Sequence, residues 1–370
     1  MKILFVSNTV KTYSLGYKND FYPLLELGHE IVWAANFKDF IGDKNEVPAE
    51  MKQIDIQSYP FHRSNWRALK ALIAILKEDK YDAVICTTPI GGALARIAAK
   101  KTKVPKVIYS AHGLLFFKGA PLINRTIYKW QELLMSHWTD AIVTITDEDF
   151  ESAKKFKLRG KNNKNVFLVH GAGVDTKISL SSTREDKRAE LGLAPDDFAI
   201  CSAGFLNKNK NNAVVVRAIG ALNDKHIKYL ICGEGDEKAS LEKLASDLGI
   251  SEQIIFLGFR TDMQDVMNAS DAFAMPSFRE GVPRALLEAM NLGLPCIGSD
   301  TRGIRELIGA ENSKCLCKPN DHLAYAEAIK TVKEDKDYVA SLIERNKKEV
   351  LKYTSDKVRE ELLEIYKQIL

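Results

Sequence analysis

The stretch Ala272-Phe273-Ala274-Met275-Pro276-Ser277-Phe278-Arg279-Glu280-Gly281-Val282-Pro283-Arg284-Ala285-Leu286-Leu287-Glu288-Ala289-Met290 decides the fold. Residues 272–275 form a continuous apolar run without polar alternation, the pattern of a parallel strand covered on both faces. Pro276 ends it, because a residue without an N–H cannot extend a sheet ladder. A short polar loop follows. Pro283 at a first helical position, with Gly281 just before it, then starts a helix whose free amides and positive dipole end face that loop. Such a helix start suits a phosphate.

Two carboxylates flank it. Glu280 lies in the loop, and Glu288 lies on the second helical turn, where side chains lean back towards the helix start. Both can approach one ligand. Carboxylates accept hydrogen bonds from paired hydroxyls, so Glu280 near a hexose and Glu288 near a ribose would frame a nucleotide diphosphate sugar around the amides of Gly281 and Val282. Pro283 and Arg284, at the helix start, belong to the same candidate set. On spacing alone, two solvated helix charges are the commoner cause of an E-x7-E pair.

A chain of 370 residues exceeds one ordinary core and suggests two domains of roughly 170 to 200 residues each. Six cysteines stand at 86, 201, 232, 296, 315 and 317, with no C-x-x-C and no zinc-spaced Cys/His cluster. They read as small core residues in a reducing cytosol. Met1 to Ser7 is too brief for a signal peptide's apolar region, and no run approaches the roughly 18 apolar residues that span a bilayer. The expected location is the cytoplasm or a membrane face. The net charge of +4 is uneven: residues 1–175 hold 25 Lys and Arg against 18 Asp and Glu, and the remainder holds 28 against 31. A basic first half suits anionic lipid or a phosphorylated acceptor. The cations are too dispersed for a nucleic-acid module.

The first half opens as βαβ, with a strand at 1–7, a helix stopped by Gly28 and a strand at 31–34. Its first loop, Asn8 to Gly16, lacks G-x-G-x-x-G, which excludes the dinucleotide fingerprint of a dehydrogenase. Further strands are expected at 83–86, 107–110, 140–146 and 166–169, with helical spacing at 66–78. Strand 107–110 delivers Ala111-His112-Gly113 to its carboxyl end, where open α/β sheets bind ligands. The helix-like segment Ile123 to Trp138 interleaves large apolar groups with Arg125 and Lys129, following Lys118. It fits a lipid-facing surface and a core helix equally. The polar run Ser179 to Asp186 reads as a linker. In the second half, strand 198–204 leads to a loop holding Lys208 and Lys210, and strand 229–232 leads to Gly233-Glu234-Gly235. Strands at 254–258 and 295–298 complete the set, and 356–370 is an amphipathic helix.

Residues 277–290, with Gly293-Leu294-Pro295 and Asp300 to Ile308, resemble the donor-site signature of family 4 retaining glycosyltransferases with the GT-B fold. The resemblance extends to Val169–Asp175, Gly204–Asn211, Gly233–Gly235 and Phe256–Arg260. The stretch Phe116–Asn124 is similar to the capsule and exopolysaccharide branch. The resemblance implies an α/β architecture of two Rossmann-like doubly wound domains facing a cleft. These would be an acceptor-side domain at 1–175, a donor domain at 176–355, and a helix at 356–370 that packs back on the first.

For the site, the resemblance implies that His112 lines the cleft near the sugar and that Lys210 clamps the diphosphate. Phe205 stands where the family has an arginine, and Lys208 would supply the lost charge. Gly204, Gly233 and Gly16 would let the backbone approach the donor, Gly16 alone standing for the family's usual glycine pair. The backbone of Phe259 and Arg260 would contact the base.

The expected reaction is retaining transfer from a nucleotide diphosphate sugar, a UDP sugar first, to a polyprenyl-diphosphate-linked or saccharide acceptor. No metal or other cofactor is expected, since no D-x-D pair stands in a suitable loop and cations with helix-end amides can neutralise the leaving group. Glu280 would position the sugar, and peripheral membrane association would follow from a lipid-linked acceptor. The competing classes are a nucleotide-sugar epimerase or phosphorylase of related architecture and a non-catalytic nucleotide-sugar-binding subunit.

Overall fold

Ile3 and Phe5 point into one core and Leu4 and Val6 into another, because the strand that carries them is covered on both faces. The computed structural model describes residues 1–57, 59, 62–161 and 165–370. They divide into two compact units, Met1–Gly173 with Ser355–Leu370, and Val174–Thr354. Each is a Rossmann-like doubly wound half built on a parallel sheet.

The first unit runs β1 (Lys2–Thr9), α1 (Leu15–Glu26), β2 (Glu30–Asn36), β3 (Glu50–Gln53), α2 (Ser64–Glu78), β4 (Ala83–Thr87), α3 (Pro89–Thr102), β5 (Lys106–Ala111), α4 (Lys129–Ser136), β6 (Ala141–Thr144), α5 (Asp147–Ala153) and β7 (Val166–Leu168). Its strand order is β3-β2-β1-β4-β5-β6-β7. The order turns between β1 and β4, which opens a crevice at their carboxyl ends.

The second unit runs α6 (Arg184–Glu190), β8 (Phe198–Ala203), α7 (Asn212–Leu222), β9 (Ile227–Cys232), α8 (Lys238–Asp247), β10 (Ile254–Gly258), α9 (Met263–Ala269), β11 (Ala272–Met275), α10 (Arg284–Asn291), β12 (Cys296–Ser299), α11 (Ile304–Ile308), β13 (Leu316–Cys317), α12 (His322–Glu334) and α13 (Lys336–Val350). Here the order is β10-β9-β8-β11-β12-β13, turning between β8 and β11.

The last helix, α14 (Ser355–Ile369), belongs to the first unit. Val358, Leu362, Ile365, Tyr366 and Ile369 share one face and join Phe21, Leu24 and Trp33 in that unit's second core. Glu361 fastens it by accepting from the His170 N–H at 3.0 Å and meeting His170 Nδ1 at 2.7 Å.

Several expectations shift. Residues 123–138 do not form one regular helix: Asn124–Tyr128 is a π-helical turn and α4 follows it. Within 179–186, α6 already begins at Arg184, because the Thr183 hydroxyl accepts from the Asp186 N–H and caps it. The Asp265 carboxylate holds the N–H groups of Ser181 and Ser182. All six cysteines are free and buried. Burial pushes the Cys86 and Cys232 thiols up to about 12, which suits packing residues. Among the described residues, no helix is long and apolar enough to cross a membrane.

Candidate functional site

Two loops rim the crevice of the second unit, 204–211 after β8 and 276–283 after β11. The Asn207 side chain accepts from the Lys210 N–H at 3.2 Å and folds Lys208–Lys210 into a tight turn. Asn211 takes left-handed backbone, φ 53, which asparagine tolerates better than most residues. Its amide donates to Pro276 O at 3.1 Å and to Pro319 O at 2.7 Å. The Phe278 N–H donates to Asn209 O at 2.8 Å, and Asn209 Nδ2 donates to Arg279 O at 3.0 Å. The two loops therefore form one hydrogen-bonded body.

Inside it, Lys210 Nζ lies 2.8 Å from Glu280 Oε1, and both side chains are largely buried. An ammonium carries three donors, so this pairing leaves Lys210 capacity for an anion and leaves Glu280 Oε2 to accept from a hydroxyl. The backbone is crowded nearby. A Cβ on Gly233 would overlap Gly204 O, and one on Gly303 would overlap Gly281 O. Both glycines have positive φ, 137 and 76, so a side chain is excluded by conformation as well as by space.

Pro283 caps α10 in extended backbone (φ −73, ψ 114) instead of occupying its first helical position, so the helix begins one residue later than its sequence suggests. The N–H groups of Gly281 and Val282 have no acceptor among the described residues. Arg284 opens the helix with Nη2 3.4 Å from Glu288 Oε1. Burial raises the Glu288 carboxyl above its usual range, and Arg284 opposes that rise. Arg284 Nε and Thr301 Oγ1 are buried with no hydrogen-bond partner, which is unusual for polar atoms in a finished core. Arg302 Nε donates to Glu280 O at 3.4 Å.

In the first unit, His112 follows β5 directly. Desolvation lowers its imidazole to about 4, so it is neutral at pH 7. The loop it opens is pinned by the first turn of α5. Asp149 Oδ2 accepts from the Leu114 N–H at 3.1 Å, and Glu148 Oε1 accepts from the Lys118 N–H at 2.6 Å. Those carboxylates belong to the D-x-D string Asp147-Glu148-Asp149, and two of its three members thus hold backbone. At the β1/β4 crevice, Asn8 Oδ1 accepts from the Thr88 hydroxyl at 2.8 Å and the Gly91 N–H at 2.7 Å. Thr88 holds φ 64, a conformation that a β-branched residue adopts only under constraint.

The family described as glycosyl transferases group 1 matches residues 183–349, and glycosyl transferase 4-like matches residues 2–146. EpsD of Bacillus subtilis, a protein named as a glycosyltransferase, is 31% identical over 99% of this chain and 96% of its own length. The chain is a family 4 glycosyltransferase. An Escherichia coli relative named UDP-Gal:alpha-D-GlcNAc-diphosphoundecaprenol alpha-1,3-galactosyltransferase is 29% identical, covering 76% of this chain and 73% of its own. HepE of Anabaena, solved with UDP and glucose, superposes with a TM-score of 0.78 at 17% identity over 99% of both chains, and shares the GT-B fold.

In this glycosyltransferase the second unit brings Gly204, Lys210, Gly233, Glu280, Gly281, Val282, Arg284 and Glu288 to loops and a helix start at the carboxyl edge of one sheet. Other expected residues fall elsewhere. Lys208 lines a depression with Glu237 and Phe278, next to the pit between β8 and β11 that Lys210 lines. Phe205 is 65% exposed. The Arg260 guanidinium is occupied by Asp262 and Glu190, at 2.7 and 3.0 Å, leaving its backbone and the exposed Phe259 for any base contact. Gly16 stands in the first turn of α1, not in a loop. A Cβ there would make ordinary contact with Ala172 at 3.6 Å.

Sequence reasoning missed Asn209, Asn211 and Thr301, while the Arg302-Gly303 pair, expected to border the same cleft, does reach it: a Cβ on Gly303 would meet Gly281 O. The signal for Asn211 was the Asn-Asn pair before an apolar helix, a frequent left-handed position. A cluster of Asp196, Asp197 and His226, with His226 Nδ1 3.1 and 3.8 Å from the two carboxylates, lies at the amino ends of β8 and β9. That is the opposite edge from the loops above.

Proposed function

We propose that the glycosyltransferase moves a hexose or N-acetylhexosamine, with retention at the anomeric carbon, from a UDP sugar to a lipid-linked or growing polysaccharide acceptor. The Lys210–Glu280 pair, set against the free amides of Gly281 and Val282, carries this reading. It offers a cation and two N–H groups to a diphosphate, and a carboxylate oxygen to a sugar hydroxyl, within one loop body. The name of the E. coli relative, with its UDP-Gal donor and diphosphoundecaprenol-linked acceptor, supports the donor and the lipid-linked acceptor.

In the step itself the bond from the anomeric carbon to the β-phosphate oxygen breaks while the acceptor oxygen bonds the same carbon on the same face. The acceptor proton passes to the departing phosphate oxygen. Lys210, the Gly281 and Val282 amides and the start of α10 stabilise the charge that develops on the diphosphate, so no resident cofactor is required. Glu280 orients the sugar, and the half-buried Arg284 and Glu288 shape the far end of the donor. Neutral His112 can accept or donate a hydrogen bond to a sugar hydroxyl without adding charge. A lipid-linked acceptor would keep the protein peripherally on the inner face of the cell membrane.

A thermal-shift panel of nucleotide sugars, followed by transfer assays with the best stabiliser and NMR of the product anomer, tests this. Stabilisation by UDP sugars and an α-to-α transfer are expected. Epimerised UDP sugar forming without acceptor would overturn it.

A further inference from the structure

The segment 122–134 of the first unit presents its apolar side to water. Ile123, Ile127, Trp130 and Leu134 recur at helical spacing on one face and are 42–67% exposed. The inner face turns Glu132, Met135 and Ser136 to the interior. There Arg96 grips Glu132 with two hydrogen bonds of 2.8 and 3.0 Å, so the segment is held in this orientation by a buried ion pair. A large solvent-facing apolar stripe on a firmly anchored helix marks a surface that something covers.

Beside that stripe runs a groove of about 680 Å³, the size of a ligand site. Phe116, Phe117, Leu133 and Phe156 give it an apolar wall. Lys118, Arg125, Lys129 and Lys155 line it as well, and none of the four makes an ion pair among the described residues. Its one acidic residue, Glu148, accepts from the Lys118 N–H at 2.6 Å. Four cations against one carboxylate, over aromatic and aliphatic carbon, match an amphiphile with a multiply charged anionic head and a hydrocarbon tail. The groove begins four residues after His112, at most about 14 Å of chain, so a head held here can present an attached sugar near β5.

We propose that this groove binds the diphosphate and first isoprene units of a long-chain isoprenoid diphosphate still seated in its bilayer, while the outward stripe enters the lipid interface. The inference rests on the lipid-linked acceptor reading above and names the site that would hold that acceptor. Arg125, Lys129, Lys155 and Lys118 neutralise the phosphates. Ile123, Ile127, Trp130 and Leu134 replace water with acyl chain at the headgroup boundary, where tryptophan is favoured.

The test is co-sedimentation of the full chain with phosphatidylcholine vesicles carrying undecaprenyl diphosphate. Controls are vesicles carrying phosphatidylglycerol at equal total charge and phosphatidylcholine alone. Binding at least ten-fold tighter to the isoprenoid vesicles is expected. The Arg125→Gln/Lys129→Gln/Lys155→Gln variant should fall to the phosphatidylglycerol level while keeping its circular dichroism and its thermal shift with UDP. Equal binding to both anionic vesicles, or a triple variant that binds like the parent, would overturn the proposal. So would a homodimer in solution that Ile127→Ser/Trp130→Ser abolishes without any vesicle binding. The transfer reading stands or falls separately, on transfer to a water-soluble glycoside, which the triple variant should leave intact.

Discussion

Lys210 Nζ and Glu280 Oε1 lie 2.8 Å apart although 70 residues separate them in the chain. They meet because β8 and β11 are neighbours at the turning point of their sheet, so the loops leaving both strands share one rim. Removing either partner leaves a largely buried charge without its counter-ion and takes a donor or acceptor from the site. Lys210→Ala and Glu280→Ala should each lower kcat/KM for sugar transfer by about 100- to 1000-fold. The double variant should lose little more than the worse single one, as expected of groups that act together. Steady-state transfer assays read both effects.

Gly303 and Gly281 interlock through backbone alone. Gly303→Ala places a methyl group against Gly281 O at φ 76, so the loop carrying Glu280 must move. A loss of roughly 2–4 kcal/mol in the second unit is expected, with donor affinity falling further than stability explains. Urea denaturation beside UDP titration separates the two. Gly16→Ala, by contrast, should be nearly neutral, since its Cβ meets Ala172 at an ordinary 3.6 Å.

Asp20 on α1 is buried, and its Oδ2 has no hydrogen-bond partner. Burial pushes its carboxyl up to about 7. Between the ordinary carboxylate value and 7 the folded chain therefore holds a proton that the unfolded chain has released, and stability falls as pH rises through that window. Asp20→Asn should raise the melting temperature at pH 8, by the equivalent of about 1–3 kcal/mol, and change little at pH 4. Calorimetry at the two pH values tests this, and a variant less stable at pH 8 would refute the sign.

His112 runs the other way. Desolvation lowers it to about 4, so the folded chain resists a proton that the unfolded chain takes up below its ordinary value near 6.5. Its contribution to stability is complete above that value and is lost as pH falls towards 4. His112→Asn keeps a neutral hydrogen-bonding side chain and should retain more transfer activity than His112→Ala, with a weaker decline of stability between pH 6.5 and 4. Paired activity and melting profiles across that range check both.

Arg96 is fully buried, bonds Glu132 twice and stacks 4.1 Å from the Tyr109 ring centroid. Glu132→Gln alone should cost about 3–5 kcal/mol, because a guanidinium would remain without its charge partner. Arg96→Met/Glu132→Leu together should cost far less. Chemical denaturation of the three variants decides it.

Much of this fold could be read from the chain. The runs 254–258 and 272–275 are strands over those same residues; 272–275 is the fully covered one, where only apolar side chains fit, while 254–258 is a half-buried edge strand. β3 was not legible. Glu50-Met51-Lys52-Gln53 has no apolar pattern and is a strand only because β2 offers it an edge. The outward stripe at 123–134 was undecidable from spacing, since periodicity shows that a face exists but not whether protein covers it. At the site, the strand–loop–helix around Glu280 carried its own signal. The pairing of Lys210 with Glu280 depends on strand order, which local pattern does not encode and which the family resemblance supplied.

The face of α14 that completes the first unit's second core has a consequence for synthesis. A ribosome delivers residues 1–173 long before Val358, Leu362 and Tyr366 emerge. The earliest-made half must therefore wait, one flank uncovered, while the entire later half is translated and folds. Nascent chains stalled before residue 355 should bind chaperones through Phe21, Leu24 and Trp33, and the emergence of 355–369 is what closes that flank.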